Sequence, residues 1–226
     1  MNQPNLDARL MCAADLVNQC RTVADIGTDH AYLPIYLVNK GICTRAVAAD
    51  INKGPIERAK LNIRAVGLTD KIDTELTDGL HGIEKYEPDC ILILGMGGEL
   101  IVKIISEAPW ICTENKNIRL VLQPMTHPET VRTYLWDNGF EISDEKICKS
   151  GKLYCVFAAH YTGTKTAYSA IEALIGKETV SSRTPLATEY KRHIAKIYER
   201  RIDGLKAGGC DFSKEQTMLD GIENII

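Results

Sequence analysis

The stretch Asp89-Cys90-Ile91-Leu92-Ile93-Leu94, running directly into Gly95-Met96-Gly97-Gly98, constrains this chain more than any other. An unbroken apolar run of strand length has no face to give to water. It belongs at the centre of a parallel sheet with helices on both sides. Parallel neighbours require crossover connections, so flanking segments should alternate between strand and helix.

They do. Leu6 to Val17 has apolar residues at helical spacing, and Thr22-Val23-Ala24-Asp25-Ile26 is a short strand ending at Gly27. Helix is expected over 31–40, strand over 44–51, helix over 55–66 and strand over 71–76. After the central strand come helix 99–107, strand 118–122 stopped by Pro124, and helix 127–138 closed by Gly139. Phe140 to Ile147 and Leu153 to Tyr161 read as a closing antiparallel pair with a turn near Ser150-Gly151. The expected class is α/β: a doubly wound, Rossmann-like domain over 1–162. The antiparallel finish favours a methyltransferase-like sheet over a dehydrogenase.

Beyond Tyr161 strand signals cease. Thr184 to Ala207 carries Tyr190, Ile194, Ile197, Ile202 and Leu205 on one helical stripe, and Gly208-Gly209 breaks it. Ser213 with Gln216 resembles a capping box for a last helix bearing Met218, Leu219, Ile222 and Ile226. A helical, coiled-coil-like hairpin over 163–226 is the expectation.

Composition excludes several classes. The net charge of −3 gives no global basic field. Tyr161 to Ile226 holds 10 Lys+Arg against 9 Asp+Glu and the remainder 17 against 21, so any polyanion surface is a local stripe. The eight cysteines include no CxxC pair and no zinc spacing, which predicts reduced thiols and no metal. Met1-Asn2-Gln3-Pro4 lacks a signal-peptide pattern and no apolar run reaches the ~20 residues of a membrane span. A cytoplasmic monomer without membrane contact is expected.

Ligands of open α/β sheets bind beyond the carboxyl ends of the strands, where chain order reverses. Asp25 and Gly27 end the first strand there, and Asp50, about 20 residues on, is placed to accept a ribose hydroxyl. That pair suits a nicotinamide dinucleotide or S-adenosylmethionine (SAM). The loop Gly27-Thr28-Asp29-His30 discriminates, because Asp29 stands where a dinucleotide site needs bare glycine and would repel a pyrophosphate. SAM carries a sulfonium and an ammonium and tolerates carboxylates. Asp78-Gly79 follows the third strand, where the carboxylate can meet an adenine amino group, although Asp-Gly is also an ordinary turn. Gly95, Gly97 and Gly98 imply close backbone approach to a ligand, with Met96 among them. Gln123-Pro124 either edges a planar base or merely terminates a strand. His30, His81 and His127 read as structural or solvated, and Arg9 as a helix-surface charge.

The string Ala24-Asp25-Ile26-Gly27-Thr28-Asp29-His30-Ala31-Tyr32-Leu33-Pro34-Ile35 resembles the bacterial TrmK family, the tRNA (adenine(22)-N1)-methyltransferases. So do Ala49-Asp50-Ile51, Thr77-Asp78-Gly79-Leu80, Gly95-Met96-Gly97-Gly98 and Leu122-Gln123-Pro124. The resemblance implies a class I methyltransferase domain with a helical hairpin, SAM as cofactor and tRNA as partner. The strand-end positions put SAM on Asp25, Gly27, Asp50, Asp78, Gly79 and Gly95, and the target adenine in a slot of Met96, Gly97, Gly98, Gln123 and Pro124. Asp29 is the candidate acceptor for the exocyclic amine. Arg192, Lys196 and Arg200, one stripe of the long helix, either hold phosphates or form its solvated face. Three rival readings stay open: a methyltransferase of proteins or small molecules, a non-catalytic SAM-binding RNA-recognition protein, and an NAD-linked oxidoreductase.

Overall fold

A computed structural model of the chain describes residues 6–113 and 117–226; the opening Met1-Asn2-Gln3-Pro4 lies outside them. Seven strands form one sheet in the order β3-β2-β1-β4-β5-β7-β6. They are β1 (Cys20–Ile26), β2 (Cys43–Asp50), β3 (Ile72–Leu76), β4 (Cys90–Gly97), β5 (Arg119–Thr126), β6 (Phe140–Ser150) and β7 (Lys152–Tyr161). The first five are parallel; β7 runs antiparallel to β5 and pairs with β6 around Gly151. Chain order reverses between β1 and β4, so the switch point falls beside the central apolar strand.

Side chains alternate between the sheet faces. Val23, Ala46, Leu92 and Val121 enter one core, against α1 (Ala8–Ala14) and α2 (Tyr32–Asn39) with Ala59 and Ile63 of α3 (Lys53–Ala65). Ala24, Val47, Ile91, Ile93 and Leu122 enter the other, against α4 (Gly98–Ser106) and α5 (Pro128–Asp137). The first helix is shorter than its apolar stripe predicts. Leu16 and Val17 donate to Ala13 and Ala14 in a tighter turn that sends Leu16 into the core.

Pro124 does not stop β5, which runs on to Thr126. Proline can donate no ladder hydrogen bond. The β4–β5 register slips on both sides of Met96, which sits opposite Pro124, and Gly95 adopts φ +75° at the bulge. The irregular pair thus projects its glycine and proline backbone past the regular sheet.

After β7, the amides of Thr162 and Gly163 donate to Gly139 O, at 2.8 and 3.0 Å. Two short helices follow that the sequence did not announce, α6 (Ala170–Ile175) and α7 (Lys177–Ser181). A capping box opens α6: Ser169 accepts from Glu172 N and Glu172 accepts from Ser169 N. The box expected at Ser213 does not form; Phe212 is the capping residue, Ser213 bonds Asp211, and Gln216 bonds Asp220. The hairpin consists of α8 (Pro185–Ala207), capped by Thr184, and α9 (Ser213–Glu223), packed through Ala195, Ile202, Leu219 and Ile222 with Ile175 of α6.

This hairpin is bolted to the sheet domain. Arg132 of α5 is wholly buried, pairs with Glu145 of β6, and donates to the carbonyls of Ala173 and Leu174, at 3.1 and 3.0 Å. Glu145 N donates to Glu178 of α7. Lys191, also buried, gives its three protons to the carbonyls of Val180, Ser182 and Ile225, so its ammonium is fully hydrogen-bonded.

Candidate active site

The carboxyl ends of the five parallel strands share one edge, and its loops carry unusual side chains. Six large apolar residues are exposed among those described: Tyr32, Ile51, Leu61, Leu76, Leu100 and Met125. Ile51, Leu76 and Met125 stand at the end of a strand or just beyond it, and Tyr32 and Leu100 in the first turn of the helix that follows one. Apolar surface gathered on an otherwise polar rim marks a ligand surface.

Beneath that rim lies Asp25, 8% exposed, near the end of β1. Burial pushes its carboxyl up to about 6; a hydrogen bond from Thr28 and the nearby Arg9 charge pull it down, while Asp50 adds repulsion. A carboxylate this desolvated is stabilised by a cation placed against it. The donor set therefore suits a cationic ligand such as SAM. The loop above Asp25 is fixed by Gly27 N and Thr28 N, which both donate to Ala49 O, at 2.8 and 2.9 Å. Gly27 has φ +78°, and a Cβ there would collide with the methyl end of Met96.

Asp50 accepts from Asn52 N through Oδ1 at 2.7 Å, which leaves Oδ2 able to accept from a ligand. Thr77 N donates to Asp50 O at 3.0 Å and sets Asp78 and Gly79 beside the end of β2. Gly79 has φ +56° and backs onto Ile104.

Gln123 departs from its expected role. It is wholly buried, and its Oε1 accepts from Arg9 Nη1 at 2.8 Å and from Gly95 N at 3.1 Å. Its Nε2 donates to Pro124 O at 2.9 Å. The second Nε2 proton meets only Met125 Sδ, at 3.6 Å, and the buried amide braces the bulge. Gly98 also serves the scaffold, since a Cβ would collide with the His127 carbonyl and lie 2.9 Å from that of Thr126.

Arg9 was expected on the helix surface, yet it joins α1 to the Gln123–Gly95 brace. A signal was present in the sequence. Arg9 is three residues after Leu6 and four before Ala13, which puts a cation on the apolar stripe itself. Asp29 is exposed and already paired, with Arg58 at 2.6 Å and the His30 ring at 3.2 Å. A base amine would compete with that guanidinium. Arg192, Lys196 and Arg200 are exposed on α8, and none of them lines the cleft between α8 and the ends of β5 and β7. Among the described residues no group of three or more His, Cys, Asp or Glu is placed to hold a metal, and no helix is long and apolar enough to cross a membrane.

The strand order, the antiparallel β7 and a carboxylate-and-glycine edge at the switch point define a class I methyltransferase. Comparison with known proteins agrees: residues 6–157 match the model of a methyltransferase domain. A tRNA (adenine(22)-N(1))-methyltransferase of Bacillus subtilis (strain 168) is 34% identical over 209 residues, covering 88% of this chain and 87% of the relative. The crystal structure of the B. subtilis M1A22 tRNA methyltransferase TrmK superposes with a TM-score of 0.81 at 28% identity, over 97% of this chain and 95% of that one. A Streptococcus pneumoniae protein solved in complex with S-adenosyl-L-methionine gives 0.83 at 30% identity, over 95% and 97%. The chain belongs to the family of tRNA (adenine(22)-N1)-methyltransferases.

Proposed function

We propose that this protein transfers a methyl group from SAM to N1 of an adenine in tRNA, adenine 22 in the family's numbering, as a cytoplasmic monomer. The observation that carries the reading is the buried carboxylate of Asp25 at the switch point, under an edge braced by Arg9, Gln123 and Gly95. The catalytic unit spans 1–162 and the hairpin 163–226, joined through Arg132 and Glu145.

Asp25 supplies the counter-charge for the cofactor's cationic groups, and Gly27 and Gly95 let backbone close on it. Asp50 accepts from the ribose through the oxygen that Asn52 leaves free. Asp78 and Gly79 meet the cofactor's adenine, with Ile51 and Leu76 as exposed apolar surface at the same strand ends. When bound, SAM supplies an activated methyl group on its sulfonium.

Adenine N1 carries a free lone pair at neutral pH, so no residue has to remove a proton first. Alignment does the work, and it can supply about 7–11 kcal/mol in favourable cases. Met96, Gly97 and Pro124 form the slot, with Gln123 and Gly98 fixing the backbone behind it. Asp29, held by Arg58, accepts from the exocyclic amine and offsets the positive charge that develops on the ring. The adenine must leave its stack to enter, at a cost of a few kcal/mol. Phosphate contacts from Arg192, Lys196 and Arg200 offset part of it.

Incubation with labelled SAM and unmodified tRNA, followed by nucleoside analysis, tests the reading. N1-methyladenosine at one position, lost when that adenine is replaced by guanine, is the expected result. Label in protein, in another nucleoside or in no RNA at all overturns it.

A further inference from the structure

Between α8 and the outer ends of β5 and β7 lies a cleft of about 360 Å³, at the small end of sites that hold a planar ligand. Its walls include Pro124, Met125, His193, Ile197, Tyr198 and Arg201. Met125 is 44% exposed, and the Arg201 guanidinium lies 5.1 Å from the centre of the Tyr198 ring. The cleft begins at Pro124, the residue after the Gln123 brace. Pro124 therefore borders both the target slot and this cleft, which makes the two adjacent.

Tyr198 packs against the hairpin core and, with the Met125 thioether and the Arg201 guanidinium, also lines this gap. They match an unstacked nucleotide, which offers a flat apolar base to the ring and a phosphate to the cation. Arg201 and His193 place positive or protonatable groups in the walls, beside one carboxylate, Glu129, and the guanidinium complements a phosphate. We propose that this cleft receives the base of the unpaired nucleotide next to the methylated adenine, stacked on Tyr198 with its phosphate on Arg201. The inference rests on the tRNA reading above and adds to it a subsite that selects the neighbour of the target. It also gives α8 a function through its inward face, distinct from the exposed stripe of Arg192, Lys196 and Arg200.

The test uses the full chain, unmodified tRNA transcripts, and the variants Arg201→Gln and Tyr198→Leu. Each variant raises KM for tRNA about tenfold, the effect of one lost base stack or phosphate contact, with SAM affinity unchanged. An abasic nucleotide in place of the correct neighbour costs the wild-type protein a similar factor and costs Tyr198→Leu almost nothing, because its stacking partner is already gone. Arg201 is exposed, so Arg201→Gln keeps the test valid if Tyr198→Leu folds poorly. Unchanged KM in Arg201→Gln, or an abasic penalty undiminished in a folded Tyr198→Leu, overturns the subsite. Wild-type methylation of the intact transcript is the separate control: its absence overturns the tRNA reading itself.

Discussion

Replacing Asp25 with asparagine should make the protein more stable without its cofactor and worse at binding it. The carboxyl rises from an ordinary 3.8 to about 6 on folding. At about 1.36 kcal/mol per pH unit, ionised Asp25 costs the unliganded fold about 3 kcal/mol. The sign follows from which state holds the proton. Below 3.8 both states are protonated and nothing is lost; between 3.8 and about 6 only the unfolded chain is ionised, so stability falls as pH rises. Above about 6 the full cost is present. Asparagine keeps the shape and a partner for Thr28 without the charge. Unliganded Asp25→Asn should therefore melt about 6–12 °C above wild type at pH 7.5, at the few degrees per kcal/mol expected for a chain of this size. The gap should close toward pH 4. Binding should show the reverse, because a cationic ligand favours the ionised form. Wild-type affinity for SAM should rise through pH 6 while that of Asp25→Asn stays flat, leaving the variant about 10–100-fold weaker at pH 8. Differential scanning fluorimetry and calorimetric titration across pH 4 to 8 measure both. Equal melting curves together with equal pH-independent affinities would refute the counter-charge argument.

Three further substitutions probe the other parts. Arg9→Ala removes one arm of the Gln123 brace, and turnover should fall about tenfold with SAM affinity within a few fold; Arg9→Lys should not rescue it, since an ammonium cannot reproduce the guanidinium geometry. Single-turnover kinetics decides, and full activity would remove Arg9 from the site. Asp50→Ala should weaken SAM binding by about 1–3 kcal/mol through lost hydrogen bonds, read by calorimetry on folded protein. Gly98→Ala drives a Cβ into the His127 and Thr126 carbonyls and should lower stability by about 2 kcal/mol or more, whereas an unchanged melting temperature would show that the α5 turn yields.

The layered fold was legible because its cause is local. Ile91, Leu92 and Ile93 must bury both faces, and apolar spacing elsewhere reports which surface of each element meets the core. Gly27, Asp50 and the glycines at the end of β4 were legible as a candidate site because strand ends are where open α/β sheets bind ligands. Three things were decided only by tertiary structure. Pro124 reads as a terminator in isolation; the slipped β4–β5 register and Gly95 let the strand continue past it. Gln123 and Arg9 are 114 positions apart, and no local pattern shows that a buried amide oxygen will meet that guanidinium. The attachment of the hairpin likewise depends on Arg132, Glu145 and Lys191, polar residues whose burial is affordable only where distant carbonyls and carboxylates converge on them. Periodicity reports a residue's own face toward the core; which partner completes its hydrogen bonds is a property of the folded chain alone.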